Sequence, residues 1–81
     1  MELTISTPEK LIFKGDAESI NIPTQSGMIT VLPKHTALLS AVSSGRIKII
    51  SQNQEKYFSC EGGVLEVSEG KAIILLRSTR I

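Results

Sequence analysis

Apolar and polar residues alternate along most of the chain. Leu3 and Ile5 flank Thr4, Ile20 and Ile22 flank Asn21, and Ile47 and Ile49 interleave with Arg46 and Lys48. A period of two puts every second side chain on the same face of an extended strand, so these segments read as strands with one face buried. Residues that interrupt regular structure recur at short, even intervals: Thr7-Pro8, Gly15-Asp16, Pro23 to Gly27, Pro33, Ser43-Ser44-Gly45, Gln52-Asn53-Gln54, Gly62-Gly63 and Glu69-Gly70. The gaps between them are too short for a typical helix. The spacing predicts an all-β fold, a small two-sheet β-sandwich or flattened barrel of about eight to ten short strands. A flat single sheet would leave its apolar face in water.

Two stretches depart from the alternation. In Ala72-Ile73-Ile74-Leu75-Leu76 both faces of the strand are apolar, and Leu11-Ile12-Phe13 repeats the feature in miniature. Each of these strands should be covered on both sides, by a loop or barrel seam of the chain itself or by a partner surface.

Composition agrees with the pattern. Ile, Val and Thr supply about a quarter of the 81 residues, and β-branched side chains suit a pleated sheet better than a helix. The length bounds a single domain, residues 1–81. Ordering 81 residues costs about 120 kcal/mol, while domains of this size bury only about 60% of their unfolded surface. A partner would therefore help the fold. Nine Lys and Arg stand against eight Asp and Glu, a net charge of +1. That balance offers no basic field for nucleic acid or anionic lipid.

Candidate chemistry is sparse. Cys60 is the only cysteine, which excludes an intrachain disulfide and a multi-cysteine zinc site and points to a reducing compartment. The start, Met1-Glu2-Leu3-Thr4, lacks the charged and apolar regions of a signal peptide. Cys60 falls in the period of a strand and reads as a small buried hydrophobe, with a reactive thiol as the alternative. His35 is the only histidine; two residues after Pro33, it fits a turn or a contact better than a triad, which needs an orienting carboxylate and a nucleophile. No His or Cys spacing suits a metal, and none is expected. Gly62-Gly63 lacks the Lys-Ser or Lys-Thr and the following helix of a phosphate loop, so it reads as a bulge or a close approach of another backbone. Phe13, Tyr57 and Phe58 are too few for a sugar-binding strip or a base-stacking platform.

In order, the chain carries Thr7-Pro8-Glu9-Lys10, Phe13-Lys14-Gly15, Ile20-Asn21-Ile22-Pro23, and Gly27 through Val31-Leu32-Pro33-Lys34-His35-Thr36-Ala37-Leu38-Leu39-Ser40-Ala41. Gly45-Arg46-Ile47 follows, and then Phe58-Ser59-Cys60-Glu61-Gly62-Gly63-Val64-Leu65-Glu66-Val67. Over nearly its whole length this resembles the epsilon subunit family of F-type ATP synthases, which corresponds to the mitochondrial subunit called delta. The most specific parts are Leu32-Pro33-x-His35-x-x-Leu38-Leu39 and Gly62-Gly63-x-Leu65-Glu66-Val67.

The resemblance implies a non-catalytic β-sandwich subunit of the central stalk, without cofactor, that couples the gamma subunit to the ring of c subunits during ATP synthesis. It places Thr7, His35 and Ser40 at the gamma interface and turns the loop of Ser26, Gly27 and Met28 toward the c ring. One copy per complex, a monomer when isolated, is expected. It would sit on the cytoplasmic face of a bacterial plasma membrane, or on a thylakoid or mitochondrial inner membrane in an organelle, touching the membrane only through the complex.

Two departures stand out. Where the family often reads Glu-Gly-Glu-Leu-Gly-Ile, this chain has Ser26-Gly27-Met28-Ile29-Thr30-Val31; apolar contact by Met28 in place of acidic pairing predicts weak salt dependence of seating on the ring. Most members also continue into a C-terminal helical hairpin that can inhibit ATP hydrolysis. This sequence stops at Ile81, and no such inhibition is expected of a short form. The competing readings are a free-standing β-sandwich module for carbohydrate or peptide, which needs an aromatic strip or an open strand edge, and a small hydrolase built on His35, which needs a pocket.

Overall fold

The computed structural model describes residues 1–80; the expectation for the terminal residue Ile81 lies outside them. Eight strands follow one another: β1 (Glu2–Ser6), β2 (Leu11–Asp16), β3 (Ser19–Thr24), β4 (Gly27–Val31), β5 (Leu38–Ser51), β6 (Gln54–Ser68), β7 (Lys71–Leu76) and β8 (Thr79–Arg80). The all-β class holds. Seven of them form one mixed ladder in the order β2-β1-β7-β6-β5-β3-β4, with β8 beside β6. Among the described residues only the β1–β7 pair is parallel.

The two layers of the sandwich share that single ladder, because β5 and β6 are long enough to serve both. Val64 to Val67 of β6 pair with the start of β5 and with β7, which leads on to β1 and β2. The other half of β6, Gln54 to Glu61, pairs with the end of β5, which leads on to β3 and β4. The predicted breaks at Ser43-Ser44-Gly45 and Gly62-Gly63 are therefore corrected: both lie inside strands of 14 and 15 residues. Small residues mark the place where the strand pair bends from one layer into the other. Gly45 and Gly62 have φ of 151° and 126°, a region that residues with a Cβ rarely adopt.

The bend folds the inner faces of the two layers onto each other. Leu3 and Ile5, Ile20 and Ile22, Ile47 and Ile49, Leu65, Ile74 and Val31 are fully buried, which is the alternation read from the sequence. Each such burial contributes about 1.5–3 kcal/mol. Phe13 and Phe58 pack against this core edge to face, with ring centroids 6.1 Å apart.

Turns match their residues. Gln52-Asn53, with φ of 52° and 62°, and Glu69-Gly70, with 45° and 77°, join adjacent strands by two-residue loops. Positive φ at both central positions suits the right-handed twist of a hairpin. Between β3 and β4, Thr24 closes the turn: its Oγ1 donates to Gly27 O at 2.8 Å and accepts from Ser26 N at 3.1 Å.

A docking face and a turn on the opposite layer

The outer face of the β2-β1-β7-β6-β5 layer is largely apolar, and nothing among the described residues covers it. Register aligns Ala41, Val64, Leu75, Ser6 and Leu11 in one row across five strands, and Leu39, Glu66, Ile73, Thr4 and Lys14 in a second. Leu39 is 73% exposed, Leu11 58%, Leu75 54%, Val64 43% and Ile73 39%. On the opposite face of β7, Ala72, Ile74 and Leu76 are at most 2% exposed. Neither a loop nor a barrel seam of the described chain supplies the expected second cover. Five large aliphatic side chains on one face of a small domain mark an interaction site.

The doubly apolar run flagged Ile73 and Leu75, and Leu11 with them. Leu39 and Val64 were missed, although the adjacent pairs Leu38-Leu39 and Val64-Leu65 carry the same signal: two successive apolar residues in a strand cannot share a face.

The gamma-facing candidates border this layer at separate places and are not brought together. Thr7 follows β1, half-buried; its amide donates to Lys10 O at 2.9 Å, and its Oγ1 accepts from Lys10 N at 3.3 Å. Ser40 lies on β5 opposite Leu65, its hydroxyl donating to Ala41 O at 3.2 Å. His35 is exposed on the loop before β5, after a turn in which its amide donates to Leu32 O at 3.0 Å. Pro33 and Lys34, with φ of 73°, occupy the two central positions as a type II turn requires. The His35 Nδ1–H donates to Thr36 O at 2.7 Å, which leaves Nε2 facing solvent. Among the described residues neither ring nitrogen meets a hydroxyl or a carboxylate, so no triad is assembled.

Ser26, Gly27 and Met28 form the β3–β4 turn on the other layer. Met28 is 55% exposed and lines a cleft of about 410 Å³ with Asn21, Arg46, Lys48 and Tyr57. The turn is uncharged, but the cleft beside it is cationic: the Arg46 guanidinium lies 4.7 Å from the centre of the Tyr57 ring, within cation–π range. The Tyr57 hydroxyl donates to Glu55 Oε1 at 2.7 Å, and this bond to a carboxylate holds the phenol above its usual range.

Cys60 is buried, and its Sγ–H donates to Ser43 O at 3.4 Å. Burial raises its pKa; the amides of Gly62 and Gly45 offset only part of that rise. A neutral, enclosed thiol is a packing residue, not a nucleophile. Gly63 lies under a close backbone approach by Leu75 and Leu76, the structural reading of the glycine pair.

The described residues thus form a β-sandwich with an uncovered apolar face on one layer, the form of a module that binds a protein surface, and an exposed turn on the other. Residues 1–80 match the family model described as ATP synthase, Delta/Epsilon chain, beta-sandwich domain, and the chain belongs to that family. It is 40% identical over 75 residues to the ATP synthase epsilon chain of Chlorobium limicola, covering 91% of this chain and 85% of that one. To the epsilon chain of Chlorobaculum tepidum it is 42% identical over 74 residues, covering 90% and 84%. The Nitratiruptor epsilon chain is 39% identical over 77 residues, and there the match covers 94% of this chain but 60% of the relative. The fold recurs in the Tetrahymena thermophila mitochondrial ATP synthase central stalk and c ring, with a TM-score of 0.83 at 23% identity over 98% of this chain. It recurs also in the Euglena gracilis mitochondrial ATP synthase, with 0.90 at 21% over 96%. The chain spans 64% and 51% of those two structures' chains.

Proposed function

We propose that the chain is the epsilon-type subunit of an F-type ATP synthase central stalk, a non-catalytic part that fastens the gamma subunit to the c ring. Family membership over residues 1–80 supports the complex. The single structural observation that carries the role is the uncovered aliphatic face of β2-β1-β7-β6-β5. A subunit that transmits torque needs a contact that does not slip, and broad apolar burial with a charge inside it, here Glu66, supplies both adhesion and register.

In this reading gamma covers the apolar face and reaches past it to Thr7, to His35 and to Ser40, which alternates with Leu39 and Ala41 and so lies on the other face of β5. The turn of Ser26, Gly27 and Met28, on the other layer, meets the ring. One copy serves each rotor, and the isolated chain is a monomer. The complex holds it at the membrane, on the cytoplasmic side in a bacterium. His35 acts as a contact whose exposed Nε2 hydrogen-bonds to the partner.

The test is titration calorimetry of the 81-residue chain against the purified gamma subunit of the same synthase. Binding with a clearly negative heat-capacity change is expected, and His35→Ala should weaken it without altering ATP hydrolysis by the catalytic subunits. No binding at tens of micromolar would refute the assignment. The carbohydrate-module alternative finds no support: Phe13 and Phe58 pack against the core, which leaves Tyr57 as the one aromatic ring among the exposed large side chains.

A further inference from the structure

At one end of the apolar face a groove of about 330 Å³ opens between the β1–β2 loop and the β6–β7 pair. Ser6, Thr7 and Pro8 line it from β1 and the loop that follows, and Gly63, Val64, Leu75 and Arg77 from the β6–β7 pair and its continuation. Gly63 tolerates no side chain, since a Cβ there would overlap the Leu75 carbonyl, so β6 and β7 lie close together where they line the groove. Most of its polar groups are already engaged, the Ser6 hydroxyl excepted. The Thr7 amide and hydroxyl are bonded within the loop to Lys10, Pro8 has no amide hydrogen, the Arg77 amide donates to Gly62 O at 3.0 Å, and its Nη2 donates to Glu61 O at 3.0 Å. What the groove offers a ligand is therefore apolar surface, at the small end of the size range of binding pockets.

We infer that this groove receives one large apolar side chain, aromatic or aliphatic, of the gamma subunit and is the energetic centre of the docking face; the inference rests on the stalk reading above. Val64 and Leu75 belong at once to the groove wall and to the exposed face. An occupant of the groove is thus continuous with whatever covers the face, which favours a side chain of a docked protein over a free small ligand. Binding energy in protein interfaces concentrates where an anchor enters a pocket that excludes water, while flat contacts around it contribute little. Leu39, the most exposed aliphatic of the face, stands two strands from β7 in the second row and outside the groove.

The experiment compares gamma binding of the unmodified chain, Leu75→Ser, Val64→Ser and Leu39→Ser, with thermal unfolding of each to confirm the fold. The two groove variants should lose about 30-fold or more in affinity and Leu39→Ser less than about 5-fold. Methyl signals of Val64 and Leu75 should also shift more than those of Leu39 when gamma is added. Equal losses at the three positions, or a larger loss at Leu39, would overturn the groove as the centre while leaving docking in place. Failure of the unmodified chain to bind gamma would overturn the stalk reading, and this inference with it.

Discussion

Gly63→Ala isolates one contact, the close approach of β7 backbone to β6 beside the groove. Gly63 pairs with Val42 on one side and Leu76 on the other, and its φ is not among the positive values. An alanine backbone is therefore allowed there, and any cost comes from the added methyl. That methyl would overlap the carbonyl oxygen of Leu75 and lie 2.9 Å from Leu76 Cα. Backbone cannot rotate aside as a flexible side chain can, so β6 and β7 must separate locally, lifting Leu76, 2% exposed, from the core. Overpacking costs about 1–3 kcal/mol, and partial loss of Leu76 burial adds about 1 kcal/mol. A total of about 3 kcal/mol lowers the melting temperature of a domain this small by about 12–24 °C.

Gly27→Ala is the matched control. Nothing lies within 4 Å of its Cβ position, but φ is +106°, so its cost is conformational only, about 1–2 kcal/mol. Thermal and urea unfolding followed by circular dichroism would rank the two. A Gly63→Ala protein as stable as Gly27→Ala, or more so, would refute the claim that β7 backbone crowds this position.

Two titrations probe the chemistry of the second layer and the bend. Tyr57 should ionise above the usual phenol range near 10 in an absorbance titration at 295 nm, because its hydroxyl donates to Glu55; Glu55→Gln should bring it down, and an unchanged midpoint would discount the bond. Cys60 is raised in the folded chain by burial, so the unfolded chain releases the thiol proton first. Its contribution to stability is complete below about pH 8.5 and declines as pH rises through the folded value. Urea unfolding between pH 8 and 10 should show a steeper alkaline loss for the natural chain than for Cys60→Ala; parallel slopes would contradict the assignment.

Much of the fold was legible in the sequence because strand burial is a local record: Leu3, Ile5, Ile20, Ile22, Ile47 and Ile49 alternate with polar neighbours, and all six are fully buried. The bend was not legible. Ser43-Ser44-Gly45 and Gly62-Gly63 look like turns, and whether small residues end a strand or let it curve depends on what pairs across from them. Here the β5–β6 register continues unchanged on both sides of Ser43 and Gly62, a long-range fact that neither segment states alone. The docking face was half legible for the same reason. Successive apolar residues in β7 and β2 announce a second buried face, but only register aligns them with Val64 and Leu39 from other strands.

That alignment also explains how an exposed apolar face is tolerated before a partner arrives. Folding buries Ala72, Ile74 and Leu76 of β7, and leaves Ile73 and Leu75 of the same strand for a second event. In the interval the face could recruit the wrong surface, yet it is interrupted where it matters. Glu66 sits between Leu39 and Ile73 in the row, Thr4 and Lys14 continue that row on the far side, and Ser6 separates Leu75 from Leu11. A carboxylate inside an apolar face makes burial against an indifferent hydrophobic surface costly, because the charge would lose its water and gain no partner. A surface that presents a donor opposite Glu66 escapes that cost. The aliphatic residues therefore supply attraction and Glu66 supplies discrimination, the combination by which an interface rejects competitors while holding its own partner.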